Sequence, residues 1–277
     1  ARFESLLDFH VANGTAAIVA IGTTGESATL SEAEHCDAIR RIVTHINGRL
    51  PVIAGTGANS TSEAIHLTQC AAEAGVDACL LVTPYYNKPT QEGIYQHVKA
   101  VAESSPLPVV PYNVPSRTIT NMTAETCLRV AEVPNVCGVK EASGDLGQIG
   151  EIISAAPDGF RVWSGNDADT FHVVSMGGYG IISVSAHLIG LQIQRMIRDI
   201  LEGDLRAAAD EHLRQLPISK QLFVVANPIP VKYCLNRAGF NVGAPRLPLT
   251  VPDEATARLL DAMMAKYTVD LPMEVTA

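Results

Sequence analysis

Ala17-Ile18-Val19-Ala20-Ile21, a helix opened by Ser31 and Glu34, and then Pro51-Val52-Ile53-Ala54 form the stretch that decides the fold. Both apolar runs are nearly continuous and rich in β-branched residues, as expected of parallel strands covered on both faces. Between them Ile39, Ile42, Val43 and Ile46 follow an i, i+3, i+4, i+7 stripe, and Ser31 with Glu34 has capping-box spacing. A strand, a helix and a second strand of this kind make a parallel crossover unit.

Working outward, the unit repeats. Ala78 to Val82, Pro108 to Pro111, Val136 to Lys140, Arg161 to Ser164 and Gly180 to Val184 read as further buried strands, and successive strand starts lie 19 to 34 residues apart. Ser60 with Glu63 repeats the capping spacing, and Ile189, Ile193, Met196, Ile197 and Ile200 stripe another helix. A first helix is expected from about Glu4 to Ala12, ahead of the first visible strand. Seven strands at regular intervals could wind into an open sheet, but they fit an α/β (β/α)8 TIM barrel without its opening strand better. The sequence begins at Ala1 rather than Met, so that strand is expected upstream. After Leu201 only helical stretches are expected, to about Tyr267, interrupted at Pro217, Pro228, Pro230, Pro245, Pro248 and Pro252. The division that follows is a barrel over 1–202 and a C-terminal helical region over 203–277.

Composition narrows the function. The chain has 277 residues, 47% of them apolar, and 20 Lys and Arg against 29 Asp and Glu give a net charge of −9. An acidic surface does not attract nucleic acid or an anionic membrane. No apolar run approaches the roughly 20 residues of a membrane span, and no signal peptide opens the chain. Cys36, Cys70, Cys79, Cys127, Cys137 and Cys234 form no C-x-x-C pair and are too sparse for a disulfide framework. A reducing cytoplasmic setting is expected.

Lys140 is the first candidate for chemistry, because it ends the apolar run Val136-Cys137-Gly138-Val139. In a barrel the C-terminal end of a strand faces the active-site mouth. Desolvation there disfavours the ammonium form, leaving an amine able to attack a carbonyl and form a Schiff base. The plainer alternative is an ion pair with Glu141 or Asp145. Gly22-Thr23-Thr24-Gly25-Glu26-Ser27 follows the first strand and can form an anion-binding nest of backbone N–H groups, or simply a turn. Tyr85, Tyr86 and Tyr112 all follow expected strands, where phenols can relay protons or merely line a rim, and Arg117 could clamp a carboxylate.

Other chemistries find no anchor. The eight histidines lack H-x-H and H-x-x-x-H spacing, so no metal is expected and most read as helix-surface residues. There is no G-x-x-x-x-G-K, no G-x-G-x-x-G and no G-x-S-x-G. No cofactor is called for.

Gly22-Thr-Thr-Gly-Glu26, Thr83-Pro-Tyr-Tyr-Asn-Lys-Pro89, Tyr112-Asn-Val-Pro-Ser-Arg117, Gly138-Val-Lys-Glu-Ala-Ser-Gly-Asp145 and Ser164-Gly-Asn-Asp167 together resemble the dihydrodipicolinate synthase family. Asn227-Pro-Ile-Pro-Val-Lys232 and Arg246-Leu-Pro-Leu249 extend the resemblance through the tail, so it covers nearly the whole chain. It implies a Schiff-base lyase of the class I aldolase type in lysine and diaminopimelate biosynthesis, condensing pyruvate with L-aspartate 4-semialdehyde. Lys140 would capture pyruvate, and Thr23, Tyr112 and Tyr86 would relay protons, Tyr86 from a neighbouring subunit of a homotetramer built as a dimer of dimers. Thr24 would hold the pyruvate carboxylate and Arg117 that of the aldehyde, while Gly165 and Ile182 line the pocket. Ser27, Ala28, His35, Asn59, Glu63 and Tyr85 match the positions that bind inhibitory L-lysine, whereas Glu32 stands where lysine-sensitive members commonly carry His. The resemblance also places a strand and loop of about twenty residues ahead of Arg2. Sister enzymes share the loop, the tyrosine and the lysine, so an N-acetylneuraminate lyase or a 2-keto-3-deoxy-sugar-acid aldolase is the alternative.

Overall fold

A computed structural model describes residues 2–270. In chain order the elements are α1 (Arg2–Ala12), β1 (Ile18–Ala20), α2 (Glu32–Ile46), β2 (Val52–Gly55), α3 (Thr61–Ala74), β3 (Ala78–Val82), α4 (Gln91–Glu103) and β4 (Val109–Asn113). They continue as α5 (Pro115–Thr118), α6 (Ala124–Ala131), β5 (Gly138–Glu141), α7 (Leu146–Ala155), β6 (Arg161–Ser164), α8 (Thr170–Ser175) and β7 (Gly180–Ile181). The last four helices are α9 (Ala186–Glu202), α10 (Leu205–Gln221), α11 (Ile229–Arg237) and α12 (Glu254–Lys266). The strands form one seven-stranded parallel sheet in the order β1 to β7.

The chain divides into two compact units. Of the described residues, one holds the sheet and its crossover helices, 17–22 and 30–182; the other holds 2–16, 23–29 and 183–270. In the sheet unit Leu80, Val110, Tyr112, Val114 and Ala142 form a buried cluster, with Val19, Ile53, Val82, Cys137, Trp163 and Ile182 packed on it. The crossover helices bury the expected stripe residues Ile39, Ile42 and Ile46, and Ile94, Val98 and Val101 of α4. The capping box of α2 is complete: Ser31 accepts from the Glu34 N–H and Glu34 accepts from the Ser31 N–H. In the other unit α9 buries Leu188, Ile189, Ile193, Met196 and Ile200.

Several expectations change. Only half of the second capping box forms, with Ser60 accepting from the Glu63 N–H. The last strand stops at Ile181 because Ser183 already accepts the Ala186 N–H and turns the chain into α9. Tyr112 lies within β4, not after it. Pro217 does not interrupt its helix; α10 runs through it. Half of the histidines, His10, His35, His97 and His212, are buried rather than on helix surfaces. His10 bridges Thr15 and His187, His35 donates to the Gly55 carbonyl and His97 pairs with Thr61, each bond allowing a polar ring inside. Cys36 and Cys70, on α2 and α3, pair as a disulfide 34 residues apart, a pairing that the spacing did not suggest.

Candidate active site

Lys140 and Tyr112 are partners in the β4–β5 register, so alternation along each strand turns both side chains to the same face. The Lys140 Nζ stands 4.1 Å from the centroid of the Tyr112 ring. Burial lowers the Lys140 ammonium to about 8, opposed by the Asp167 carboxylate and assisted by the Arg117 guanidinium. Burial pushes the Tyr112 phenol up to about 12; Arg117 opposes the shift, and Asp167 and Glu141 add to it. A neutral phenol thus faces an amine that titrates near neutrality.

Gly165 makes room for the lysine. A β-carbon there would sit 3.1 Å from Lys140 Cε and 2.7 Å from Ala142 Cβ, so any larger residue would push the lysine chain aside. Ile182 packs on the cluster that holds Tyr112, and its N–H donates to the Ser164 carbonyl at 3.0 Å. Arg117 sits exposed on the single turn of α5, which follows β4 directly. The ion-pair alternative for Lys140 finds no support in its neighbours: Asp145 caps α7 by accepting from the Gln148 N–H, and the Glu141 carboxylate takes Asn113, Ser143 and Gln148.

Thr23 and Thr24 belong to the other unit, in a 3₁₀ turn over Thr23–Gly25. Glu26 organises this turn. Its backbone has a φ of 59°, its N–H donates to the Thr23 carbonyl, and its carboxylate takes the Lys232 ammonium and the Arg246 N–H. Thr24 Oγ1 accepts from Asn227 Nδ2 at 3.0 Å. The tail residues that carried the resemblance are therefore the hooks of the turn.

Tyr86 is not drawn into the chain that carries it. It is 85% exposed, with a left-handed φ of 74° on the loop after β3. Of the regulatory candidates, His35, Asn59, Glu63 and Tyr85 gather in the sheet unit: Glu63 acts electrostatically on both His35 and Tyr85, and Tyr85 bonds the Asn59 backbone. Burial lowers the His35 imidazole and raises the Tyr85 phenol. Ser27 and Ala28 lie in a second short turn, Ser27–Thr29, of the other unit. Glu32 faces His66 of α3 at 3.5 Å. Sequence reading gives Asp167 no role of its own and weighs Glu141 only as an ion-pair partner of Lys140, although both stand at or just after a strand end, where a barrel places its function.

Among the described residues no cluster of His, Cys, Asp or Glu could hold a metal, and no helix is long and apolar enough to cross a membrane.

The model of the dihydrodipicolinate synthetase family matches residues 1–266. A 4-hydroxy-tetrahydrodipicolinate synthase of Dehalococcoides mccartyi is 51% identical over 262 residues, covering 95% of this chain and 88% of the relative. Dihydrodipicolinate synthase of Cyanidioschyzon merolae, solved with lysine bound, superposes with a TM-score of 0.93 at 44% identity, covering 95% of this chain and 90% of that one. The chloride-inhibited Acinetobacter baumannii enzyme, complexed with pyruvate, gives 0.92 at 42%, covering 95% and 91%. With its consecutive parallel sheet, its C-terminal helices and matches of this extent, the chain belongs to the dihydrodipicolinate synthetase family.

Proposed function

We propose that this chain condenses pyruvate with L-aspartate 4-semialdehyde through a Schiff base on Lys140, as a 4-hydroxy-tetrahydrodipicolinate synthase. The observation that carries the reading is the desolvated Lys140 amine, lowered to about 8 and set 4.1 Å from the Tyr112 ring at a barrel-strand end. The neutral amine adds to the ketone carbon of pyruvate, and loss of water leaves the imine. Loss of a methyl proton gives an enamine, whose carbon attacks the aldehyde of the second substrate. The amino group of the new adduct then displaces Lys140 by transimination and closes the ring.

Tyr112, kept protonated by burial, donates and recovers protons during these steps, with Thr23 as the next member of the relay. The exposed, left-handed Tyr86 suits a residue delivered to a neighbouring subunit, in a homotetramer built as a dimer of dimers. Thr24 holds the pyruvate carboxylate, while Gly165 and Ile182 shape the pocket. The cytoplasm is the compartment in which we place it. An aldehyde panel with pyruvate fixed tests the whole reading: turnover should require aspartate semialdehyde, and preference for N-acetylmannosamine or glyceraldehyde would assign a sister aldolase instead.

Arg117, at the mouth, is the clamp for the carboxylate of the aldehyde substrate. Arg117→Ala should raise the KM for aspartate semialdehyde about 10- to 100-fold, the worth of a charge-assisted bidentate contact, and leave that for pyruvate nearly unchanged. Equal effects on both would make Arg117 a support of the Tyr112 loop.

L-lysine binds at the group that includes His35, Asn59, Glu63 and Tyr85, with Ser27 and Ala28, and inhibits partially. The lysine-bound structure from Cyanidioschyzon merolae supports this reading. Glu63 pairs with the ligand's ammonium, and Asn59 and Tyr85 bond its carboxylate. Titration should give weak to moderate partial inhibition that disappears in Glu63→Ala. No inhibition at millimolar lysine, or inhibition unchanged by the substitution, would refute it.

A further inference from the structure

Glu141 is a buried carboxylate, 1% exposed, one residue beyond Lys140 and on the opposite face of β5. Its oxygens accept from Asn113 Nδ2 at 3.2 and 3.0 Å, from the Ser143 N–H at 2.7 Å and from Gln148 Nε2 at 3.2 Å. Asn113 is likewise one residue beyond Tyr112, and the register pairs Asn113 with Glu141 just as it pairs Tyr112 with Lys140. Two contacts therefore lie back to back across one pair of strands. The reacting residues meet on one face, and a carboxylate and an amide meet on the other.

The amides behind the sheet cannot turn to suit another partner. Asn113 Oδ1 accepts the Met122 N–H at 2.9 Å, which directs its NH₂ group toward Glu141. Gln148 Oε1 accepts from Asn121 Nδ2 at 2.9 Å, which directs the Gln148 NH₂ the same way. Asn121 Oδ1 closes the circuit by accepting from Asn113 Nδ2 at 2.8 Å. Asn113, Ser143 and Gln148 all donate to Glu141, the bonding that an ionised carboxylate accepts; burial raises its carboxyl, and these bonds oppose the rise.

We propose that Glu141 is a positioning residue for Lys140 and Tyr112: its carboxylate clamps β5 to β4 from behind and holds the register that sets the lysine beside the phenol. A strand slip or a local twist of one residue would turn Lys140 off the site face, so a fixed register is a condition for the chemistry. The Glu141 charge also helps to keep Tyr112 protonated. This role rests on Lys140 and Tyr112 acting as proposed above.

Glu141→Gln tests it, because the new amide sets an N–H₂ group against the N–H₂ of Gln148 while nearly preserving volume. We expect kcat about 10- to 100-fold lower, the usual cost of losing a group that orients a reacting residue, with the KM for pyruvate within about threefold. The basic limb of the pH profile should move to lower pH as Tyr112 loses its negative neighbour. The double variant Glu141→Gln with Gln148→Glu returns a carboxylate to the circuit, facing the amide introduced at position 141 and the Asn121 amide, and should recover most of the lost kcat. If Glu141→Gln folds poorly, Gln148→Ala removes one donor at a partly exposed position and should lower kcat several-fold with the same unchanged KM. Normal kcat in folded Glu141→Gln, or a loss that tracks thermal stability and is not rescued by the double variant, would overturn the proposal. Wild-type protein that forms no pyruvate imine would instead overturn the function on which it rests.

Discussion

Treated with pyruvate and borohydride, the wild-type chain should gain one reduced pyruvate at Lys140, and Lys140→Ala should gain none. Its kcat should fall by several orders of magnitude, because the covalent route is lost with the amine. An adduct at another lysine, or substantial turnover in Lys140→Ala, would refute the assignment. The lowered ammonium adds a pH signature. With a value of about 8, the neutral fraction rises about tenfold per pH unit below that point and then saturates. Imine formation at subsaturating pyruvate should therefore climb from about pH 6 to about 8 and level off above it. An ordinary exposed lysine would still be climbing at about pH 10.

Removing the phenol should be nearly as damaging. Tyr112→Phe keeps the ring 4.1 Å from Lys140 Nζ and keeps its packing in the buried cluster with Leu80 and Val110, so only the hydroxyl is lost. A positioned proton donor contributes about 10²- to 10⁴-fold, and kcat should fall by that factor while borohydride still traps the pyruvate adduct. A kcat within tenfold of wild type would take the hydroxyl out of the relay.

The strands were legible because each is apolar along most of its length, and Lys140 was legible because a cation closing such a run has few places to go. That same pattern hid Glu141. A strand buried on both faces shows no polar alternation, so Gly138-Val139-Lys140-Glu141 sends its last two residues to opposite sides without revealing what meets Glu141 on the far one. The histidines misled for a related reason. His35 and His97 sit on helices with ordinary polar neighbours, and only the Gly55 carbonyl and the Thr61 hydroxyl, both distant in sequence, reveal them as interior. Cys36 and Cys70 meet across two helices, a juxtaposition that depends on how α2 packs on α3 rather than on spacing.

The clamp on the Thr23 turn bears on how the enzyme is made. Glu26 and Lys232 are 206 residues apart, and Thr24 and Asn227 are 203 apart. At a synthesis rate of roughly 5–20 residues per second, the 206-residue separation means that Lys232 follows Glu26 off the ribosome by about 10–40 s. During that interval the nascent chain can form the crossovers from β1 to β7, while the turn still lacks every hook that shapes it. Thr23 and Thr24 gain these hooks only once residues 227–246 have emerged, so on the roles proposed for them catalytic competence comes late in the life of each molecule, after the sheet has formed.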